Sequence, residues 1–205
     1  HVASGHASGG FKVRGTWGAP LLTVDGAVKD ARYENLKTGT LLEGIAGRIS
    51  SEGNKVTFSG FKARAGQGTV TADGHAAVSF TEGASVKIAV SMDRALLART
   101  DRVQATADGT LTIGGPLSHP EVSGRLVFSQ VEVTMPEQPA GRVNVVAFRE
   151  KGTAPEASPP EAPVKRAAPP LDMNVELEFP GRCFVRGPVL DSEWRGGLKM
   201  AGTVG

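Results

Sequence analysis

Residues 109–136, GTLTIGGPLSHPEVSGRLVFSQVEVTMP, restrict most strongly what this chain can become, because apolar side chains fall at every second position, stop at turn residues and then resume. Leu111 and Ile113 alternate with Thr110 and Thr112. Gly114-Gly115-Pro116 and His119-Pro120 interrupt, and Val122, Gly124, Leu126 and Phe128 restore the alternation. A period of two puts one set of side chains on one face of an extended strand, so the segment reads as strand, turn, strand with one apolar and one wet face. At Ser129-Gln130 the phase slips, and the apolar set moves to Val131, Val133 and Met135. An extra residue of this kind is what a β-bulge inserts, and a bulge bends and twists its strand. The sheet is expected to curve there.

At 205 residues the chain is long enough to bury a core as one large all-β domain or two small ones. Its 27 glycines are about 13% of the chain, against roughly 7% in average usage, and fit many tight turns. A net charge of +2 with both signs mixed along the chain makes no basic field, which excludes nucleic acid as a partner. Cys183 is alone, so no intramolecular disulfide forms, and His1, His6, His75 and His119 have no metal-ligand spacing. No apolar run is long enough for a transmembrane helix and no signal peptide is present. The expectation is either a cytoplasmic protein or a piece of a longer one.

The first ten residues, HVASGHASGG, are small and polar, fit an added tail as well as a loose strand, and are given no role. From Phe11, Gly15, Pro20 and Gly26 punctuate apolar alternation as Gly115, Pro120 and Gly124 do later, an internal repeat of loose spacing. In LKTGTLLEGIAGRI, residues 36–49, Leu41, Ile45 and Ile49 suit a helical face or a strand, and the glycines at 39, 44 and 47 favour strands. Val70, Ala72, Gly74, Ala76, Val78 and Phe80 share one face; Asp73-Gly74 inside that run signals a hairpin or a bent continuous strand. Val86, Ile88, Val90 and Met92 form another strand. DRALLARTDR, residues 93–102, is the best helix candidate, and any helix is expected to be confined to a turn or two near Arg94 to Arg99.

TAPEASPPEAPVKRAAPP, residues 153–170, has six prolines and almost nothing to bury, so it reads as a disordered or polyproline-like insertion rather than a ligand for a proline-recognising groove. Beyond it Met173, Val175, Leu177 and Phe179 oppose Asp172, Asn174, Glu176 and Glu178 in the sharpest alternation of the chain. Trp194 to Val204 make a last strand.

Catalytic readings fail on context. Ser118-His119 beside Glu121 has the members of a hydrolytic triad, yet they sit in a proline-bounded turn. Asp101 with Asp108, or Glu176 with Glu178, could pair as acid and base; the two glutamates share a wet face that leaves their pKa values unseparated, so these residues read as solvating charges. Cys183 lies near Arg182 and Arg186 but has no suitable His, and reads as an inert, partly buried thiol. No glycine-rich segment has phosphate-loop spacing. The chain is read as no enzyme, with no cofactor and no metal.

Three stretches carry a family resemblance: GTWGAPLLTVDGAVKDARYENLKTGTLLEGIAGRI; GTLTIGGPLSHPEVSGRLVFSQVEVTMP; and LDMNVELEFPGRCFVRGPVLDSEWRGGLKMAGTVG. Together they look like the TamB family of the AsmA-like proteins, over most of residues 11–205. There a glycine-bounded strand precedes a proline, a strand of the form G.L.F..V.V..P follows, and after an inserted loop comes L...V.L..P..FVRG.GLDSEW.G.L...G. The order of the motifs and DSEWRG, Asp191 to Gly196, are the specific part, and Pro188-Val189 departs from the usual Gly-Leu. The resemblance implies a large periplasmic protein anchored in the inner membrane by an N-terminal helix. It also implies a long curled sheet with an apolar interior, the outer-membrane barrel TamA as partner, roles in outer-membrane protein assembly and in phospholipid movement between the membranes, and no catalytic residues.

The expected architecture is thus one all-β domain over residues 1–205, with an insertion at 150–170. It is a β-taco, a long curled antiparallel-rich sheet of roughly a dozen strands. At about 4.8 Å per strand its apolar concave groove would run on the order of 55 to 60 Å. Its expected lining is Val78, Phe80, Ile88, Val90, Leu111, Ile113, Leu126, Phe128, Val175, Leu177 and Phe179. The groove would shield phospholipid acyl chains. The rival reading is a scaffold whose exposed strand edge pairs with unfolded outer-membrane protein strands.

Overall fold

The computed structural model describes residues 1–16, 19–79, 83–135 and 170–204. They form ten strands: β1 (Val2–Thr16), β2 (Ala19–Asn35), β3 (Thr40–Glu52), β4 (Lys55–Ala65), β5 (Gly68–Ser79), β6 (Gly83–Arg99), β7 (Val103–Pro116), β8 (Glu121–Thr134), β9 (Leu171–Gly187) and β10 (Leu190–Val204). All ten lie in one sheet in chain order, and β1 and β10 do not pair, so the sheet is not closed into a barrel. Every neighbouring pair is antiparallel except β8 and β9, which are parallel. The chain is therefore all-β, as its alternation requires, with ten strands where about a dozen were expected, because several are longer than their clearest alternating runs. Nine spacings of about 4.8 Å give a sheet roughly 43 Å across, shorter than the sequence-based length. Residues 150–169 of the expected insertion lie outside the described residues.

Two segments left open between alternatives are settled, and one expectation meets a different outcome. Of the added tail and the loose strand weighed for HVASGHASGG, the strand is found: the segment is most of β1 and pairs with β2. Of the hairpin and the continuous strand weighed at Asp73-Gly74, the continuous strand is found, within β5. The helix candidate is strand: Asp93 to Arg99 finish β6, paired with β7 through Ala95↔Ala107 and Arg99↔Gln104. Helix propensity is a weak local preference, and here a ladder of backbone hydrogen bonds to β7, with Ala95 fully buried, outweighs it.

Bulges decide the shape of this sheet. A register shift interrupts every strand pair except β5–β6. The phase slip read at Ser129-Gln130 is one of them: Thr106 pairs with Gln130 and Ala107 with Phe128, which leaves Ser129 as the extra residue. Several doubled positions have left-handed backbone, at Asp30 (φ 51°), Gly44 (59°), Gly60 (61°) and Arg94 (46°). Past its bulge β6 reaches back to the turn between β2 and β3, three strands away, where Arg99 N–H donates to Thr38 O at 2.9 Å and the Thr40 hydroxyl donates to Leu97 O at 2.5 Å. The sheet bends far enough there for β3 and β4 to touch β6.

Candidate functional site: one apolar face from β3 to β10

Residues directly opposite one another on paired strands share a face, so the pairing can be read as rows. One row runs Gly26, Ile49, Phe58, Gly74, Ile88, Ile113, Val122 and Met173. The next runs Phe61, Ala72, Val90, Leu111, Gly124, Val175 and Met200. A third runs Ala63, Val70, Met92, Gly109, Leu126, Leu177 and Leu198. Past the bulges come Ala107 opposite Phe128, and Phe128 stacked on Phe179 with ring centroids 4.9 Å apart. The side-chain stripe is thus apolar on every strand from β3 to β10.

Of the sequence-derived lining, Ile88, Val90, Leu111, Ile113, Leu126, Phe128, Val175, Leu177 and Phe179 fall in adjacent rows of this face. Val78 shares it through its pair with Ala84, but at the strand end, 48% exposed. Phe80 lies outside the described residues. Leu126 and Val175 are buried, while the others keep part of their surface accessible. No second sheet or helix among the described residues covers the face, and no large side chain among them is fully buried.

The tightest packing was not legible as a site. Ala65, Ala95 and Ala107 are fully buried and Ala63, Ala105 and Val131 nearly so, all beside the bulges. Their signal was present, as small residues at every second position in Ala63-Arg64-Ala65 and Ala105-Thr106-Ala107. Alanine there lets strands approach where the sheet bends. Gly47 serves the same purpose, since the Phe61 ring of β4 lies where a Cβ would stand.

The opposite face is polar and laced with cross-strand ion pairs. Glu178, one of the two carboxylates weighed as an acid-base pair, is bound to Arg125, and Glu176 lies 3.8 Å from Lys199. Other carboxylates close the bulges. Gly60 N–H donates to Asp73 at 2.6 Å, Arg94 N–H to Asp108 at 2.7 Å and Arg182 N–H to Glu193 at 3.0 Å. A bulge removes a backbone N–H from the ladder, and here a side chain one strand away accepts it. Ser118 and His119 lie in the turn between β7 and β8, where His119 N–H donates to Pro116 O at 2.9 Å. Cys183 is a free, half-buried thiol on the apolar face, paired with Trp194. No group of three His, Cys, Asp or Glu among the described residues could hold a metal ion, and no helix among them is long and apolar enough to cross a membrane.

A family model described as the TamB C-terminal domain matches residues 59–205. Comparison with curated proteins and with solved structures finds no match.

Proposed function

The chain belongs to the TamB family, whose members act in envelope assembly, and from that membership we propose that its apolar face shields phospholipid acyl chains on their way between the inner and outer membranes. The carrying observation is an apolar face on which Ile88, Val90, Leu126, Val175 and Leu177 stand in adjacent rows, without a covering layer among the described residues. Ile88, Val90 and Leu177 keep part of their surface accessible, and contiguous accessible apolar surface is what an interaction site presents. Burying one CH₂ contributes about 0.8 kcal/mol, so a sixteen-carbon chain gains on the order of 12 kcal/mol when fully shielded. Headgroups stay in water at the open side. A lining without charged side chains in these rows lets a lipid slide, because no row binds an acyl chain much better than the next.

In this reading the sheet curls into a trough, and it is one periplasmic segment of a protein that an N-terminal helix anchors in the inner membrane and that works with a TamA-like barrel. No catalytic step or cofactor enters. A second reading rests on the edges: among the described residues β10 pairs with β9 alone, has no proline, and leaves Trp194 57% exposed. Such an edge fits strands of outer-membrane proteins by β-augmentation.

Leu177→Arg separates the two. Leu177 pairs with Leu126 and Leu198 in the middle of the apolar stripe, and a charge there costs several kcal/mol unless it reaches water. In cells with the full-length protein at normal abundance, the variant should lose lipid crosslinks at Leu111 and weaken the envelope. Unchanged lipid contact with an intact envelope would favour the scaffold.

A further inference from the structure

The polar face has a cavity of its own, of about 740 Å³, framed by the turn at Gly66 and Gln67 and by β6, β7, β8 and β9. We propose that it binds a phosphate-bearing group, held by Arg94, Arg99 and Arg182. The volume lies in the range of small-ligand sites. Its charged lining is those three arginines with Asp93 and Asp108. Asp108 already accepts the Arg94 backbone N–H, and Asp93 pairs with the Arg94 side chain at 3.4 Å. The Arg99 and Arg182 guanidiniums have no acidic partner among the described residues. Arginine's fixed fork of donors matches phosphate oxygens, and Gln67, Gln104, Thr106 and Gln130 add further polar groups around it.

Backbone conformation supplies an independent argument. Arg94 and Arg182 have φ of 46° and 58°, and only one other described non-glycine residue, Asp30, has positive φ. Left-handed backbone favours glycine, which occupies the bulges at Gly44 and Gly60, and Asp tolerates it through local hydrogen bonding. Arginine has neither advantage. Its presence at two strained bulges on different strands, both lining one cavity, is accounted for if the side chains are needed there. The ligand sits opposite the apolar rows, so this site stands or falls independently of the acyl-chain reading.

Arg94→Gly and Arg182→Gly make the test clean, because glycine relieves the backbone at both positions, and an unchanged or raised thermal midpoint will show the fold intact. Titration of the chain with glycerophosphoglycerol, a soluble lipid headgroup, and separately with inorganic phosphate should show saturable binding of at least one. Loss should be at least tenfold in the double variant and negligible in Lys87→Ala, which removes a charge elsewhere on the same face. Tighter binding of glycerophosphoglycerol identifies a headgroup site, and equal or tighter binding of inorganic phosphate identifies a free-anion site. No saturable binding of either at millimolar concentration, or binding that survives in the double variant, overturns the proposal.

Discussion

Asp108 shows how one side chain sets local shape. Its carboxylate accepts Arg94 N–H at the β6 bulge, and hydrogen bonds to a charged acceptor are among the stronger ones a fold makes. Asp108→Ala should therefore cost about 1 to 2 kcal/mol, read as a lowered urea midpoint at unchanged slope, whereas Asp108→Asn should keep most of it. Leu126→Ala, at a buried position between Gly109 and Leu177, should cost roughly 2 to 3 kcal/mol, at the low end for core leucines because no second layer among the described residues closes a cavity over it. Which residues share the apolar face and which the polar one was legible from the sequence, since alternation assigns a face to each residue of a strand. The carboxylate caps were not. Asp108 looked like any solvated charge, and only the pairing of β6 with β7 brings it opposite Arg94.

At the level of elements, the legible part was every strand whose alternation runs unbroken, and the errors cluster where bulges break it. Asp73-Gly74 left hairpin and continuous strand both open; here Asp-Gly at 73–74, and again at 108–109, lies opposite a doubled pair on the neighbouring strand. DRALLARTDR mimics a helix because its bulge scrambles the period of two. Nor could local pattern show that β9 lies parallel to β8, which is a fact of long-range pairing. That parallel pair sets a minimum length for the chain between them. β8 has 14 residues, so the connection must return along about 46 Å of strand at roughly 3.3 Å per residue. Deleting residues 153–168 leaves 18 between Met135 and Pro170, enough to span about 59 Å, and should leave the circular dichroism spectrum and thermal midpoint nearly unchanged. Deleting 143–168 leaves eight, about 26 Å of reach, and should break the β8–β9 pairing, seen as lost amide protection in β9 and β10.

The described residues form a sheet in which each strand touches chiefly its neighbours, with β3 and β4 also reaching β6. Stability in such an arrangement is close to a sum of nearest-neighbour terms, as in repeat proteins, and is not shared evenly. Among the described residues β1 and β10 each have one partner, and the edge side chains Phe11 and Trp194 are 76% and 57% exposed, whereas the buried residues concentrate in β4, β6, β7, β8 and β9. The bend that brings Arg99 and Leu97 onto the β2–β3 turn adds contacts between strands that are not neighbours, within the β3 to β6 portion. Native-state hydrogen exchange should accordingly show a graded pattern. Amides of β1 and β10 exchange first by local fraying, those of β6 and β7 last, and mild denaturant erodes the sheet inward from its edges. Severing the bend contact with Thr40→Val, which removes the hydroxyl bound to Leu97, should speed exchange at Leu97 and Arg99 and leave β9 and β10 unaffected, since no strand carries the effect that far without its neighbours. Uniform exchange of all ten strands in one cooperative step would show instead that the sheet is held together by contacts across its apolar face.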